Sequence, residues 1–204
     1  MIGIINYGVG NLTSVKNACA TAGADAEFIM KPEDVKNYSH LLLPGVGAFG
    51  ECMRQFHEHG FTADMLKDRL TAGVPLLGIC VGMQMLATVG EEFGVHDGLN
   101  LIPGRVIRFT FTEPRVPHVG WNTVKIVKHN PLFQRIEDGA HFYFDHGYHL
   151  TCDAADHAAL GVYGGEFVAA VQRDNIFAVQ FHPEKSQRNG LVLLRNYLNL
   201  VKQS

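Results

Sequence analysis

The chain has 204 residues, 47% of them hydrophobic and 18% charged, and 17 Lys plus Arg set against 20 Asp plus Glu give a formal net charge of −3. That composition excludes a disordered chain, and without a basic excess it argues against nucleic-acid binding. No apolar run approaches the ~18 residues of a membrane span, and one domain over residues 1–204 is large enough to bury a core without staples.

Strand and helix signals alternate through the first half. Ile2 to Ile5 is a short apolar run, which predicts a buried first strand. The N-terminus has neither the basic region nor the long apolar stretch of an export signal, so the expected location is cytoplasmic. Asn6 to Gly10 reads as a turn, and Asn11 is placed to cap a helix carrying Leu12, Val15, Cys19 and Ala22 on one face, ended by Gly23. Strands are expected at Ala26 to Met30 and at His40 to Leu43, the latter stopped by Pro44-Gly45. Glu51 to Arg69 reads as one or two helices interrupted near Gly60, Val74 to Ile79 as a fourth strand, and Gly82 to Val89 as a helix ending at Gly90. This alternation, with nearly continuous apolar strands, implies a parallel sheet covered on both faces.

From Leu101 onward the signals become short strands: Val106–Phe109, Trp121–Val127, His141–Phe144, Ala159–Tyr163, Phe167–Val171 and Phe177–Gln180. Leu191, Leu194, Leu198 and Val201 then share one face of a last helix. The expected fold is a three-layer α/β sheet with an antiparallel extension.

The cysteines stand at 19, 52, 80 and 152, with no Cys-x-x-Cys pair, which removes the common zinc and thioredoxin readings. Free thiols in a reducing compartment are expected. His57-Glu58-His59 and His146-x-x-His149 lack complete ligand sets, so no metal is expected.

The most informative segment is Pro75-Leu76-Leu77-Gly78-Ile79-Cys80-Val81-Gly82-Met83-Gln84. A buried strand ends in Gly-x-Cys-x-Gly and a helix follows at once, which is a nucleophile elbow with Cys in place of Ser. The sharp turn strains the nucleophile's backbone and crowds its neighbours, so side chains two places either side must be absent. The sulfur then lies at a helix N-terminus, which favours thiolate, and the Val81 amide is placed to donate to an oxyanion. A thiolate nucleophile needs a proton shuttle. His182-Pro183-Glu184 lies 182 − 80 = 102 residues on, at a strand end, with imidazole and carboxylate two residues apart. The second oxyanion donor needs a loop near the elbow, and Leu43 to Gly50 supplies glycine-rich backbone with the amides of Val46 or Gly47 as donors. Gly45, Gly47 and Gly50 also satisfy G-x-G-x-x-G, so a dinucleotide-binding module is an alternative. Against it, the match follows the third strand, Pro44 precedes it, and the acidic residues farther on, Asp64 and Asp68, are helical.

Together the elbow and the His-Pro-Glu resemble the two signatures of the class I (triad) glutamine amidotransferases. Tyr7-Gly8-x-Gly10-Asn11-Leu12, Pro44-Gly45-Val46-Gly47-Ala48-Phe49, Pro117-His118-x-Gly120-Trp121-Asn122 and His182-Pro183-Glu184-Lys185-Ser186-Gln187 narrow the resemblance to the glutaminase subunits of imidazole glycerol phosphate synthases, end to end. The resemblance implies a flavodoxin-like amidotransferase fold that needs no cofactor. It implies that Cys80, His182 and Glu184 hydrolyse glutamine, with Gly47, Gln84, His146, Gly147 and Tyr148 around the substrate. It further implies that the ammonia passes to a (βα)₈-barrel synthase subunit in histidine biosynthesis, yielding imidazole glycerol phosphate and an aminoimidazole carboxamide ribotide. By the same resemblance, Asn11, Trp121 and Lys185 fall at positions that in the family lie at or near the partner interface. Read from the residues alone, those three are a helix cap, a core aromatic and a solvated charge.

One stretch departs from the pattern. Where the resemblance leads one to expect Val-His-Ser/Thr-Tyr after Tyr143-Phe144, the chain has Asp145-His146-Gly147-Tyr148. Glycine keeps an amide for the substrate's α-carboxylate and loses a hydroxyl. A paralogous glutaminase feeding another synthase, as in sugar modification, is therefore the alternative function. A cysteine peptidase or peroxide-sensing relative shares the elbow as a weaker reading.

Overall fold

A computed structural model describes residues 1–200. Its first half runs β1 (Ile2–Ile5), α1 (Leu12–Ala22), β2 (Ala26–Ile29), β3 (His40–Gly45), α2 (Phe49–Glu58), α3 (Ala63–Thr71), β4 (Leu76–Cys80) and α4 (Val81–Met85). Short strands follow: β5 (Val89–Gly90), β6 (His96–Asp97), β7 (Gly104–Arg108), β8 (His118–Thr123), β9 (Lys125–Ile126), β10 (His141–His146), β11 (Tyr148–Cys152), β12 (His157–Val162), β13 (Glu166–Arg173) and β14 (Ile176–Val179). The helix α5 (Gln187–Leu198) closes the described chain, and Val201, expected on its face, lies outside the described residues.

An eight-stranded sheet in the order β2-β1-β3-β4-β14-β13-β12-β9 forms the centre. The strands from β2 to β14 in that order are parallel to one another, whereas β13, β12 and β9 add on antiparallel. The cause is in the side chains: β1, β4 and β14 are buried at every position, as strands must be when helices cover both faces. The order 2-1-3-4 followed by a fifth parallel strand is the flavodoxin-like doubly wound pattern, in which ligands bind beyond the carboxyl ends of the strands. At that edge lie Asn11 after β1, the 45–47 loop after β3, Cys80 ending β4 and His182 after β14. Two smaller sheets, β10–β8 and β11–β7–β5–β6, stand over the same edge. Among the described residues no helix is long and apolar enough to cross a membrane.

Three local expectations need correction. Asn11 precedes α1 but its side chain makes no capping hydrogen bond. The helix expected over Gly82 to Val89 stops at Met85, because Leu99, Asn100 and Leu101 donate their backbone N–H groups to the carbonyls of Met85, Ala87 and Leu86. Those acceptors are spent on the returning chain rather than on another helical turn, and Val89–Gly90 leaves as β5. Trp121 is not in the core: it is 47% exposed on β8. The strand β11, whose sequence is rich in polar residues, was not expected at all; it is held by antiparallel register with β7, Tyr148 opposite Arg108 through Cys152 opposite Gly104.

Candidate active site

The elbow forms as its glycines require. Cys80 has φ +54° and ψ −113°, a conformation that L-residues avoid and that stores about 1–3 kcal/mol. The strain is held by β4, paired on one side with β3 and on the other with β14. A Cβ on Gly82 would collide with the Leu43 carbonyl oxygen, and one on Gly78 would sit 2.9 Å from the Gly82 oxygen. Glycine at both places is what lets β3, β4 and α4 close around the cysteine.

The sulfur opens onto a cavity of about 300 Å³ lined by Val46, Gly47, Cys80, Val81, Gln84, Glu92, Pro117, Asp145, His146, Gly147, Tyr148, His182 and Lys185. His182 lines the same cavity wall as Cys80. Its Nδ1 lies 2.8 Å from Glu184 Oε1, with both side chains almost fully buried. Burial pushes the imidazole down, but the neighbouring Cys80 and the Glu184 carboxylate outweigh it and lift His182 to about 10. An imidazole lifted that far carries its proton at neutral pH. The loop bearing it is locked to β10: the His182 amide donates to the Tyr143 carbonyl at 2.9 Å, and the Ser186 hydroxyl donates to the His182 carbonyl at 2.6 Å while accepting from the Tyr143 amide at 3.0 Å.

The glycine-rich loop packs beside the elbow because Gly45 is the register partner of Cys80. Tyr7 Oη donates to the Pro44 carbonyl at 2.8 Å, Cys52 Sγ to the Val46 carbonyl at 3.3 Å, and Glu92 accepts from the Phe49 amide at 2.7 Å. Burial pushes the Cys52 thiol up to about 11, so it is a donor in this loop and not a second nucleophile. Gly47 adopts φ +92°, which a side chain would resist.

Gln84 is buried, and both its amide protons are committed: Nε2 donates to the Tyr148 carbonyl and to Gln180 Oε1, each at 3.0 Å. Its Oε1 is left for a substrate. His146 is also buried, with Nδ1 2.8 Å from the Tyr148 carbonyl and Nε2 3.0 Å from Nδ1 of His118. Because a carbonyl only accepts, His146 Nδ1 carries the hydrogen, His118 Nδ1–H donates to His146, and Asn122 donates to the free His118 nitrogen at 3.3 Å. Burial holds both imidazoles neutral, lowering His118 to about 4 and His146 to about 3.

The structure thus brings Cys80, Val81, Val46, Gly47, Gln84, His146, Gly147, Tyr148, His182 and Lys185 to one cavity, with Glu184 directly behind His182. Asn11 and Trp121 lie outside it. Trp121 packs edge-on against Tyr143 at 6.1 Å, and Lys185 Nζ sits 5.5 Å from the centre of the same ring. Three residues of the site were missed from sequence: Glu92, Gln180 and His118. Glu92 sits in a loop with no regular pattern. Gln180, two residues before His182, has the pattern of a strand end. His118 lies in the Pro117–Asn122 motif with no pattern that marks a role.

The class-I glutamine amidotransferase family model matches residues 4–199. The imidazole glycerol phosphate synthase subunit HisH of Geobacter sulfurreducens is 46% identical over 203 residues, covering 96% of this chain and 97% of that protein. The subunit of the same name from Archaeoglobus fulgidus is 42% identical over 203 residues, with both chains covered completely. Among solved structures, PurLQS from Thermotoga maritima superposes with a TM-score of 0.76 at 17% identity, covering 97% of each chain. A glutamine amidotransferase crystal structure superposes with a TM-score of 0.74 at 20% identity, covering 97% of this chain and 96% of that one. With its elbow intact and the family pattern running nearly end to end, the chain belongs to the class-I glutamine amidotransferases.

Proposed function

We propose that the chain is the glutaminase subunit of an imidazole glycerol phosphate synthase, acting in the cytoplasm, and that Cys80, His182 and Glu184 are its triad. The observation that carries the chemistry is a buried His182 that shares a cavity wall with Cys80 and is held at 2.8 Å by the Glu184 carboxylate behind it. The identity to subunits named HisH over nearly the whole chain supports the place in histidine biosynthesis.

The cavity suits a small amino acid. Glu92 is a carboxylate at its wall for the α-ammonium, and the amides of Gly147 and Tyr148 with Lys185 serve the α-carboxylate. Gln84 offers its uncommitted Oε1. Cys80 Sγ attacks the carboxamide carbon, and the carbonyl oxygen becomes an oxyanion held by the Val81 amide and by a donor from the Val46–Gly47 loop. His182 gives its proton to the nitrogen, the C–N bond breaks, and ammonia leaves a glutamyl thioester. Water, losing its proton to His182, attacks the thioester and releases glutamate. Glu184 keeps the imidazole oriented and balances its charge throughout.

The ammonia acceptor is a (βα)₈-barrel subunit, docked on the face where Trp121, Tyr143 and Lys185 meet beside the cavity. Half-exposed Trp121 next to exposed Val119 is the aromatic and aliphatic surface an interface core uses. Asn11, at the same strand edge, completes it. The backbone link from Tyr143 to His182 gives the partner a short route to the proton shuttle.

The test is glutamine hydrolysis by the purified chain with and without a barrel subunit and its ligand. The partner raises the rate many-fold, and Cys80→Ala abolishes it. An unchanged rate in that variant overturns the reading.

A further inference from the structure

The short helix α4 spans only Val81–Met85, too few residues for a substantial dipole at the sulfur, so the groups that touch the sulfur must do more. Two polar groups do, the Asp145 carbonyl and Gln180 Nε2, each at 3.8 Å, with His182 beside them in the same cavity wall. The Asp145 carbonyl only accepts, so it serves the neutral thiol. Once the proton has left, the remaining donors are His182 and Gln180.

We infer that Gln180 is a catalytic residue of the nucleophile, its side-chain N–H donating to the Cys80 thiolate, with the amide turned the right way by Gln84. The inference rests on the glutaminase reading, since it assumes that Cys80 attacks.

Orientation is the central point. Either face of a carboxamide fits the same space, and the wrong one would set an oxygen lone pair against a negative sulfur. Here the choice is forced from outside. The Tyr148 carbonyl can only accept, so Gln84 must turn its NH₂ toward it. The same NH₂ then donates to Gln180, whose oxygen must face Gln84 and whose own NH₂ must face the sulfur. Gln180 is fully buried, so no water competes for it. The Tyr148 carbonyl is in turn fixed by the neutral pair of His146 and His118. Each donor in the series has one acceptor that admits no reversal, back to Asn122, which donates to the Val162 carbonyl at 2.9 Å. A buried, singly oriented chain of this kind is expected to hold one amide rotamer.

The first test is the pH profile of Cys80 alkylation by iodoacetamide in the full chain, read by mass spectrometry of the Cys80 peptide. In Gln180→Leu the midpoint moves up by about one pH unit, the size of a long hydrogen bond to a charged group. In complex with its barrel subunit, that variant loses about tenfold in kcat for glutamine with KM within about twofold. A role confined to packing moves neither the midpoint nor kcat alone. An unchanged midpoint overturns the inference. Should Gln180→Leu fail to fold, the native chain carries the test. With ¹⁵N-labelled glutamine side chains, the Gln180 amide resonance shifts with the same midpoint as alkylation, and the shift is absent in Cys80→Ala. A Gln180 resonance that ignores Cys80 ionisation overturns the inference equally. A native complex that fails to hydrolyse glutamine, while the midpoint still moves, overturns the glutaminase reading and leaves the Gln180 contact standing.

Discussion

Replacing Glu184 by Gln separates the electrostatic part of the site from its packing. Gln has the same shape, and its carbonyl oxygen can still accept from His182 Nδ1, now 2.8 Å from Glu184 Oε1. What goes is a charge paired inside the protein, where both side chains are almost fully covered. A hydrogen bond to a charged partner is worth about 1.5–3 kcal/mol, which converts to a loss of about 10–150-fold in kcat/KM for glutamine. The same carboxylate helps lift His182 to about 10, so the alkaline limb of the rate profile moves toward lower pH in the variant. Stability follows the same pair. Glu184→Gln leaves the buried His182 cation without its charge partner and His182→Ala leaves the buried carboxylate alone, each at about 3–5 kcal/mol. Steady-state glutaminase rates of the complex between pH 6 and 10 and thermal denaturation of each variant measure both halves. Glu184→Gln within threefold of native kcat/KM, with an unmoved alkaline limb, would refute the assignment of Glu184 as the base's charge partner.

Further expected outcomes are specific to single residues. Gly82→Ala forces a methyl into the Leu43 carbonyl and prevents the elbow from closing, so soluble, folded protein is lost or destabilised by more than about 3 kcal/mol in urea unfolding. At Gly147 a Cβ would meet Val116 and Pro117 at ordinary contact distances of 3.6 and 3.8 Å, so Gly147→Ser folds normally. Its new hydroxyl lowers KM for glutamine by about fivefold, the worth of one neutral hydrogen bond, and an unchanged KM shows that the hydroxyl does not reach the substrate. His118 is held neutral in the fold at about 4, below its unfolded value of 6.5. Its contribution to stability is therefore complete above about pH 6.5 and is lost as pH falls through 4. The change is about 3 kcal/mol, and His118→Asn, which keeps the donor to His146, flattens that acid limb in denaturant titrations. Trp121→Ala leaves the fold of the isolated chain unchanged, because the ring is half exposed, and weakens barrel-subunit binding at least tenfold by calorimetry.

The parallel half of the sheet was legible because β1, β4 and β14 are buried at every position and the strands are punctuated by glycine and proline. β4 and its elbow carry a pattern that only one backbone geometry satisfies. The strands after Leu101 were legible only in part. β11 reads Tyr-His-Leu-Thr-Cys, with no alternation strong enough to separate it from loop, and β5 and β6 have two residues each. Such strands exist because partners already in place offer unpaired backbone, which is a property of the assembled sheet and absent from the segment. The shortened α4 has the same origin. Nothing within Gly82–Val89 stops a helix; the chain at 99–101 does so by taking its carbonyls.

The site divides along the same line. Cys80, His182 and Glu184 announce themselves because a reactive group must be bracketed by residues that shape the backbone, and glycine and proline leave a visible trace. A residue that works by orienting another leaves no such trace. Gln180 looks like any polar residue ending a strand, and His118 like any histidine after a proline. Their importance comes from acceptors that cannot be reversed, two of which are backbone carbonyls and so have no sequence signature at all. The hydrogen-bond network around the Tyr148 carbonyl, with His146 on one side and Gln84 and Gln180 on the other, can be found only after β8, β10 and β11 have been folded over the carboxyl edge of the central sheet. It follows that substitutions in this chain will be misjudged if ranked by distance from Cys80. Gln84 makes no hydrogen bond to the sulfur, yet it turns the Gln180 amide toward it. Its replacement by Leu, which removes the donor but keeps the bulk, should disturb the nucleophile more than a change at Val81, whose amide is backbone and survives any side chain that fits.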